Sequence, residues 1–372
     1  MKLFVYFLLS LSLGLVALAK EKKPVKVFIL AGQSNMEGKG KIDPLLNHQI
    51  KAPETRDFFA HFHKDGEYIE REDVWINYLK RRGNLTVGYG SPGCIGLELQ
   101  FGHVMGNHYD EPVLLIKTAW GGKSIGIDFR PPSSGLQSDE AIAESVENMI
   151  KRDYNNIIRN EWNKAKKDNP DIKRKEIEEK SSASIEEIRK AKADEYRKQV
   201  VDRYGHFYRL MITEIKTTLS EIKTRFPQYD GRGYEIAGFV WFQGWNDMYG
   251  RLPGEYAKNM ENFIRDVRKA LESPSLPFVI AGSGFGGWGQ TVDRRLMIMK
   301  AQHAVTTYDE FRNNTRYVET RGFFRDGSVS PRPIRYHWCC NAETYWLIGE
   351  GMGRAMVELL GGPKAPPNPE AP

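Results

Sequence analysis

The sequence predicts an α/β protein, a sandwich built on a mainly parallel five-stranded sheet. Five short apolar segments lack the polar alternation of strands that face water on one side, as is typical of parallel strands buried on both faces. Helical patterns lie between and after these segments, and strands that alternate with helices indicate a sheet covered by helices. With 372 residues, the chain is long enough for one large domain with an ample core.

The elements follow in chain order from these patterns. The helical segments carry apolar residues at three- and four-residue spacing, for example in "YRLMITEIKTTLSEIKTRF", whereas the strands are continuous apolar runs such as "VKVFIL". The predicted strands are Val25–Leu30, Pro112–Thr118, Ile236–Phe242, Phe278–Ala281 and Tyr317–Thr320. The predicted helices are Leu97–Tyr109, Tyr208–Phe226, Tyr256–Glu272, Arg294–Thr307 and Ala342–Leu360.

The first segment, "MKLFVYFLLSLSLGLVALAK", has the parts of a secretory signal peptide: a basic start, a short apolar centre and small residues near its end. Its apolar stretch falls short of the ~20 residues needed to span a bilayer. We therefore expect cleavage after Ala19, with residues 1–19 as a signal peptide and a secreted or periplasmic protein. No later segment is long enough to cross a membrane.

A charged segment interrupts the α/β pattern at residues 139–205. Residues 151–200 hold 15 Lys or Arg and 11 Asp or Glu, and mixed signs at this density indicate a solvated helical face rather than a nucleic-acid groove. We expect a mostly exposed helical insertion, either decorative or disordered, or acting as a lid or partner-binding arm. The end of the chain, 362–372, is predicted to be a proline-rich tail without a fold.

The chain has three cysteines, Cys94, Cys339 and Cys340. In an exported protein this odd number permits one disulfide, between Cys94 and either residue of the vicinal pair, with one thiol left over. The spacing fits no zinc site, so we expect no metal.

Ligands of an open parallel sheet collect beyond the carboxyl ends of its strands, so the residues that leave each strand are the candidates for function. The loops after the strands contain "AGQSNM", "GGKS", "QGWND" and "GSGFGGWG", and "RYHWCC" follows the fifth strand after a longer loop. These loops bring a hydroxyl, flexible backbones, a carboxamide and an imidazole to one rim. The residues are Ser34, Gly121, Gly122, Gln243, Asn246, Asp247 and His337.

This set of groups suits acyl transfer. A serine hydroxyl is a poor nucleophile until a base takes its proton, and His337 is the candidate base for Ser34. The tetrahedral intermediate needs preorganised donors around its oxyanion. The backbone N–H groups of Ser34 and Gly122 and the side-chain amide of Asn246 are the candidate donors.

The stretches "GQSN", "AWGGKS" and "QGWND", in this order and ahead of a late histidine, resemble the SGNH hydrolase superfamily. Within it they are similar to the carbohydrate O-acetylesterases, the branch of sialate O-acetylesterases and acetylxylan esterases. The resemblance implies Ser34 as nucleophile, Gly122 and Asn246 as oxyanion-hole residues and His337 as base.

The likeness covers roughly residues 25–130 and 234–360, and it implies the three-layer α/β/α sandwich of SGNH and flavodoxin-like proteins. We therefore expect an esterase domain formed by residues 20–138 and 206–361, with the charged insertion outside the likeness. No cofactor is expected.

One position departs from the family pattern. The family usually orients its histidine with an aspartate three residues earlier, where this chain has Ile334. Asp326 is the first alternative for the triad acid, with Glu319 and Glu343 as rivals. A backbone carbonyl is a further alternative, because the acid serves to fix the tautomer and to stabilise the imidazolium.

Four neighbouring residues are candidates for substrate binding. Gln33 and Gln243 either contact the substrate or brace the turn that carries the nucleophile. Trp245 follows a strand end and is a candidate for stacking on a sugar ring. Arg130 either binds a substrate hydroxyl or carboxylate or holds a loop carbonyl.

The sequence thus predicts an exported serine esterase that removes O-acetyl groups from carbohydrates through an acetyl-enzyme on Ser34. Its partner is an acetylated carbohydrate, with neither nucleic acid nor a membrane span expected. The alternative is a non-catalytic carbohydrate-binding protein on the same fold, which the missing aspartate at position 334 supports. A lipid esterase is disfavoured because no long apolar lid is evident. The identity of the sugar and the oligomeric state do not follow from the sequence.

Overall fold

A computed structural model describes residues 22–364 of the chain. The predicted signal peptide at 1–19 lies outside these residues, as does most of the predicted tail at 362–372. Within the described range, no helix combines the length and apolar character that a membrane crossing requires.

Eleven strands occur in the described residues, and four of them are only two residues long. They are β1 (Val25–Gly32), β2 (Gly40–Lys41), β3 (His63–Lys64), β4 (Glu67–Tyr68), β5 (Arg71–Tyr78), β6 (Arg81–Leu85), β7 (Cys94–Ile95), β8 (Val113–Ala119), β9 (Tyr234–Phe242), β10 (Phe278–Ala281) and β11 (Thr315–Val318).

Twelve α-helices occur in the same range, three of them in the segment 139–205. They are α1 (Ser34–Glu37), α2 (Asn47–Gln49), α3 (Arg56–Phe59), α4 (Glu98–His108), α5 (Asp139–Asp168), α6 (Arg174–Lys180), α7 (Ile185–Arg203), α8 (His206–Ser220), α9 (Ile222–Arg225), α10 (Leu252–Ala270), α11 (Asp293–Val305) and α12 (Ala342–Leu359).

The central sheet has seven strands in the order β11-β10-β9-β1-β8-β5-β6. All neighbours are parallel except β6, which pairs with β5 in antiparallel orientation. The five predicted strands are all present, and the prediction of a mainly parallel sheet in an α/β fold is confirmed. The predicted number of five strands is wrong, because β5 and β6 extend the sheet at one edge.

Strands β5 and β6 are difficult to recognise in the sequence because both begin with charged residues. Strand β5 begins with the exposed "RED" before its buried half, Val74–Tyr78, and β6 begins with the exposed Arg81 and Arg82. Exposed charges on an edge strand oppose pairing with another chain, which explains their presence in β6. The same charges remove the apolar run by which the other strands are recognised.

Helices pack on both faces of the sheet. Phe239 and Trp241 of β9 contact Phe263 of α10, with ring centroids 6.0 and 4.4 Å apart. The intervening Gly238 faces α12, where a Cβ would lie 2.6 Å from the Met356 side chain. Side chains alternate between the faces of a strand, so α10 and α12 lie on opposite sides.

Three neighbouring strands end in register at one edge of the sheet. Gly32, the last residue of β1, pairs with Ala119 at the end of β8 and with Phe242 at the end of β9. Because the strands are parallel, the loops that follow them all leave from this edge. The edge therefore collects the predicted site residues.

The segment 139–205 forms helices α5, α6 and α7, with a small apolar cluster of its own between α5 and α7. The cluster contains Ile142, Val146, Ile150, Tyr196 and Tyr204, all buried. Arg203 at the end of α7 donates to Asp128 over 2.9 Å, and this ion pair ties the base of the helical segment to the loop after β8.

A fully buried ion pair joins β8 to α4. The Nζ of Lys117 lies 2.7 Å from Glu98 Oε2, and both side chains are almost completely excluded from solvent. Lys117 also donates to the carbonyl oxygens of Glu37 and Tyr89, at 2.9 Å each. One ammonium group thus connects a strand, a helix and two loops near the edge that collects the site residues.

We expect Lys117→Met to lower the free energy of unfolding by about 3–5 kcal/mol, because Glu98 becomes an uncompensated buried charge. The measurement is urea-induced unfolding at pH 7. Lys258→Met removes a mostly exposed lysine from Glu261, which stays paired with Arg265, so this control should have a small effect. Equal destabilisation by the two substitutions would contradict the assigned importance of the buried pair.

Candidate active site

Ser34 lies at the point where β1 turns sharply into α1. It is the first residue of the helix, and Gln33 before it is still extended. At Gly32 a Cβ would lie 2.2 Å from the carbonyl oxygen of Phe242, so only glycine allows β1 and β9 to approach this closely. The turn presents the Ser34 hydroxyl at the end of the central strand.

The side chains of Ser34 and His337 meet although 303 positions separate them in the chain. The distance from Ser34 Oγ to His337 Nε2 is 3.1 Å, which is hydrogen-bond length. Ser34 is 8% exposed and His337 is half-buried, so both side chains are largely withdrawn from solvent. This is the geometry in which an imidazole takes the proton of an attacking hydroxyl.

Asn35 connects the turn of Ser34 to the segment that carries His337. Its Nδ2 donates to the carbonyl oxygen of Tyr336 over 3.2 Å, and its Oδ1 accepts a hydrogen bond from the Tyr345 hydroxyl at 3.0 Å. Asn35 therefore fixes the distance between nucleophile and base. Sequence reasoning gave Asn35 no role, although it lies inside the "GQSN" motif.

None of the three proposed triad acids contacts His337. Asp326 caps its own turn by accepting from the N–H of Ser328, Glu319 is paired with Arg321, and Glu343 is paired with Arg325. Each carboxylate therefore already has a hydrogen-bond or ion-pair partner other than His337. The predictions of Asp326, Glu319 or Glu343 as the triad acid are therefore wrong. Among the described residues, Ser34 is the hydrogen-bond partner of the His337 ring, and no carboxylate forms a hydrogen bond with this ring.

The ionisation of His337 reflects this environment. Burial and, to a smaller extent, the charge of Lys39 lower the pKa of its imidazole to about 4, against the opposing effect of Glu37. At neutral pH the ring is therefore uncharged and has a lone pair available to accept a proton.

The backbone after His337 is strained. Trp338, Cys339 and Cys340 have φ values of 53°, 53° and 57°, in the left-handed region that costs non-glycine residues about 1–2 kcal/mol each. Burial of the Trp338 ring and a hydrogen bond from Arg332 N–H to the Cys339 carbonyl hold the turn. All three cysteines are free thiols, so the disulfide that the sequence permits between Cys94 and this turn is not formed.

The glycine loop after β8 lies directly beside the turn of Ser34. The Trp120 N–H donates to the carbonyl of Gly32 at 3.2 Å, and the Gly121 N–H donates to Glu37 Oε1 at 2.7 Å. Gly122, with φ of 70°, has open space where a Cβ would be. The loop that carries the Gly122 N–H is thus bonded to Gly32 before Ser34 and to Glu37 after it. Sequence reasoning did not identify this role of Glu37.

A buried network joins the loop after β9 to the other two loops. Gln243 Nε2 donates to Gln33 Oε1 at 3.1 Å, to the Lys123 carbonyl at 2.9 Å and to Asp247 Oδ2 at 2.6 Å. Gln33 Oε1 also accepts from the N–H of Asn246 at 3.4 Å. Gln33 and Gln243 are buried and use their amides inside the protein, so the structure places them behind the site in the bracing role.

Asp247 closes this network. It is fully buried and accepts from the N–H groups of Ile125 and Gly126 at 2.9 and 2.8 Å. Burial raises the pKa of its carboxyl to about 7, against the lowering effect of these donors and of Gln243. The second residue of the "ND" pair is thus structural, while Asn246 takes part in this network through its backbone N–H.

Two further candidate residues have different environments. The guanidinium of Arg130 is buried and donates to the carbonyls of Gly135 and Gly126 at 2.7 and 2.9 Å, so it holds its own loop, and its predicted contact with substrate is corrected. Trp245 is partly exposed and packs against Phe285 and Tyr336. Among residues 22–364, no cluster of three His, Cys, Asp or Glu is arranged to hold a metal ion.

The chain matches the family model described as carbohydrate esterase, sialic acid-specific acetylesterase, over residues 24–173 and 174–327. The matched range includes the helical segment 139–205 and ends ten residues before His337. No curated protein matches the chain.

Three solved structures are similar over most of this chain at low identity. A protein from Arabidopsis thaliana is 15% identical, with 90% of this chain and 98% of that chain covered and a TM-score of 0.49. A novel carbohydrate acetylesterase from Xanthomonas citri is 12% identical, with 90% and 56% covered and a TM-score of 0.49. NanS is 14% identical, with 85% of each chain covered and a TM-score of 0.42.

We expect kcat/KM for ester hydrolysis to fall on acidification only near pH 4. A base must be unprotonated, and the lowered pKa keeps the His337 ring neutral through the range in which an ordinary histidine titrates, near pH 6.5. The measurement is a pH profile of p-nitrophenyl acetate hydrolysis from pH 3.5 to 8, with circular dichroism at each pH as the control for unfolding. An acid limb centred at pH 6.5 or above would contradict the assigned environment.

Proposed function

Because the chain belongs to the sialic acid-specific acetylesterase family of carbohydrate esterases, we propose that it hydrolyses O-acetyl esters of carbohydrates with Ser34 as the nucleophile. The single observation that carries this proposal is the 3.1 Å contact between Ser34 Oγ and His337 Nε2. It lies at the edge of the sheet where three loops deliver the other groups that acyl transfer needs.

In the first half-reaction, His337 Nε2 takes the hydroxyl proton of Ser34 while Oγ attacks the acetyl carbon. The carbonyl oxygen becomes an oxyanion, which accepts hydrogen bonds from the N–H groups of Ser34 and Gly122 and from the Asn246 carboxamide. The intermediate collapses when His337 returns the proton to the sugar oxygen, the C–O bond to the sugar breaks, and an acetyl-enzyme remains.

In the second half-reaction, water replaces the sugar. His337 takes a proton from the water, whose oxygen attacks the acetyl carbon and forms a second oxyanion. Collapse of this intermediate returns the proton to Ser34 Oγ and releases acetate. No organic cofactor takes part in either half.

The absence of a carboxylate beside His337 among the described residues bears on the rate. In a serine triad the acid orients the imidazole and stabilises the imidazolium formed during attack. In this chain the hydrogen bonds of Asn35 and the rigid turn after His337 do the orienting, and the favourable charge of Glu37 is outweighed by burial and by the charge of Lys39. We therefore propose an esterase with a weak but correctly positioned base.

The proposed site of action is outside the cytoplasm. The predicted signal peptide at 1–19 supports export to the periplasm or the medium, where acetylated polysaccharides and glycoconjugates are accessible.

The missing carboxylate also favours a second candidate, a carbohydrate-binding protein on this fold in which the Ser34 and His337 pair is idle. Such a protein would keep the aromatic surface around Trp245 and would not form an acetyl-enzyme. Reactivity of Ser34 separates the two functions.

Ser34→Ala should abolish acetate release from acetylated carbohydrates and hydrolysis of p-nitrophenyl acetate, because no other group can form the acetyl-enzyme. Labelling of the unaltered protein with a fluorophosphonate probe, followed by peptide mass spectrometry, should place the adduct on Ser34. Ser328→Ala, which alters an exposed loop serine, is the matched control. Full activity of Ser34→Ala would contradict Ser34 as the nucleophile, whereas an inactive unaltered protein with an unlabelled Ser34 would favour the binding protein.

Asn246→Ala should lower kcat by about 10²–10³-fold, the loss typical of one oxyanion donor, with a smaller change in KM. Asn313→Ala removes the same carboxamide from an exposed position beyond the opposite edge of the sheet and should leave kcat unchanged. A reduction of less than threefold for Asn246→Ala would remove Asn246 from the oxyanion hole.

A further inference from the structure

A groove with a volume of about 370 Å³ lies at the outer edge of the central sheet, between α11 and β11. One wall is a single face of α11, because its lining residues recur at three- and four-residue spacing, and the other wall is β11 with the turn after it. The residues that line this distal groove include Met299, Lys300, His303, Tyr317, Glu319 and Arg321. The proposed mechanism uses none of them.

The distal groove reaches the same edge of the sheet as the nucleophile turn. Val318 at the end of β11 pairs with Ala281 at the end of β10. Ile280, one position earlier, pairs with Trp241, one position before the end of β9. The end of β9 pairs in turn with Gly32 of β1, so the four strands end at one level. Neighbouring strands lie about 4.8 Å apart, which places β11 about 14 Å from β1.

The loop after β10, "GSGFGGWG" at 282–289, lies between the distal groove and the catalytic pair. Phe285 of this loop packs on Trp245, with ring centroids 4.9 Å apart. The ring centre of Trp288 lies 4.1 Å from the guanidinium of Arg321, which is a cation–π contact. The loop therefore contacts the surface around Trp245 on one side and the distal groove on the other.

Aromatic rings continue from this loop to the catalytic base. The ring centre of Tyr336 lies 5.1 Å from that of Trp245 and 4.4 Å from that of His337. Tyr336 is 40% exposed and Trp245 is partly exposed, so both rings are accessible to a ligand. Aromatic faces offer apolar surface to the C–H groups of a sugar ring. A surface suited to a sugar chain thus runs from His337 to the distal groove.

The distal groove contains hydrogen-bonding groups that the described residues leave without partners. Arg321 donates to Glu319 from Nε at 3.0 Å and from Nη2 at 2.7 Å, and its other three N–H donors have no partner among the described residues. The side chains of Lys300 and His303 are exposed and form no hydrogen bond or ion pair within residues 22–364. Free donors beside a carboxylate suit sugar hydroxyls, which both donate and accept hydrogen bonds.

The charges and the size of the distal groove favour a sugar residue over a free anion. The carboxylate of Glu319 lies 2.7 Å from the guanidinium of Arg321 and already balances its charge. The volume of about 370 Å³ lies within the range of small-molecule sites, ~300–1,000 Å³.

We propose that the distal groove binds an unacetylated residue of a sugar chain whose acetylated residue lies at Ser34. The inference rests on the proposed function of the Ser34 and His337 pair and names its substrate class, an oligosaccharide or polysaccharide. A single sugar ring does not extend across the distance of about 14 Å between β1 and β11, so a monosaccharide cannot occupy both positions. The enzyme therefore prefers acetylated sugar chains to acetylated monosaccharides, because contacts remote from the ester contribute binding free energy to the transition state.

The test varies the length of the sugar chain. The substrates are xylo-oligosaccharides and α2,8-linked sialic acids, each from the monomer to the hexamer and each with a single acetyl group on one terminal residue. The readout is the ratio of kcat/KM for the hexamer to that for the monomer within a series, in which general effects on folding and on the catalytic pair cancel. In the series that is hydrolysed, we expect a ratio of about 10–100, from two or three hydrogen bonds to the distal residue.

Arg321→Ala should lower this ratio to near 1, because it removes the guanidinium donors of the groove. His303→Ala alters an exposed side chain of α11, so it tests the same groove without a buried substitution and should lower the ratio several-fold. Arg265→Ala is the matched control, because it breaks an exposed arginine–glutamate pair with Glu310 outside the groove, and it should leave the ratio unchanged.

The outcomes separate this inference from the proposed function. Hydrolysis that depends on Ser34 but is independent of chain length would overturn the role of the distal groove alone. A ratio that stays unchanged in both Arg321→Ala and His303→Ala would do the same. Failure to hydrolyse any of these esters would overturn both proposals.

Discussion

A single buried hydrogen-bond network around Gln243 determines where the loops of the candidate site lie. The side-chain amide of Gln243 contacts Gln33 beside Ser34, Lys123 in the glycine loop after β8, and Asp247 in the loop after β9. Leaving one buried polar group unpaired costs about 1–3 kcal/mol. Any displacement of one loop would leave a buried polar group of another loop without its hydrogen bond. The network therefore favours one relative position of the three loops.

Other contacts, outside the Gln243 network, hold His337 in position. His337 lies on a segment without regular structure, held to the nucleophile turn by Asn35 and stiffened by three consecutive residues in left-handed backbone conformation. A triad acid usually orients the ring and stabilises its positive charge. This chain supplies the orientation through Asn35 and its own backbone, and burial together with the charge of Lys39 keeps the pKa of the imidazole low because the opposing charge of Glu37 is the weaker effect. The Ser34 hydroxyl and the His337 imidazole are thus within hydrogen-bond distance, and among the described residues no carboxylate is bonded to the ring.

The sequence pattern predicted the strands that are buried along most of their length, and it did not predict the strands that are exposed at one end and buried at the other. The five continuous apolar strands were found within a few residues of their bounds, whereas β5 and β6 were missed because exposed charges begin both strands. Of the candidate residues, Ser34 and His337 lie together as expected. The carboxylates at 319, 326 and 343 were grouped with His337 because they are close in the chain, but each meets a partner of its own.

The sequence alone determined the α/β class, the parallel order of strands with functional loops at their ends, and the motifs that belong to a carbohydrate esterase family. These features depend on local periodicity and on short residue patterns, which are properties of the chain itself. Only the tertiary structure decided which polar groups meet: that Gln33 and Arg130 form hydrogen bonds inside the protein, and that Asn35 links the turn of Ser34 to the segment of His337. Such contacts join residues up to 303 positions apart, and their formation depends on packing and on competition among many possible partners, which no local pattern encodes.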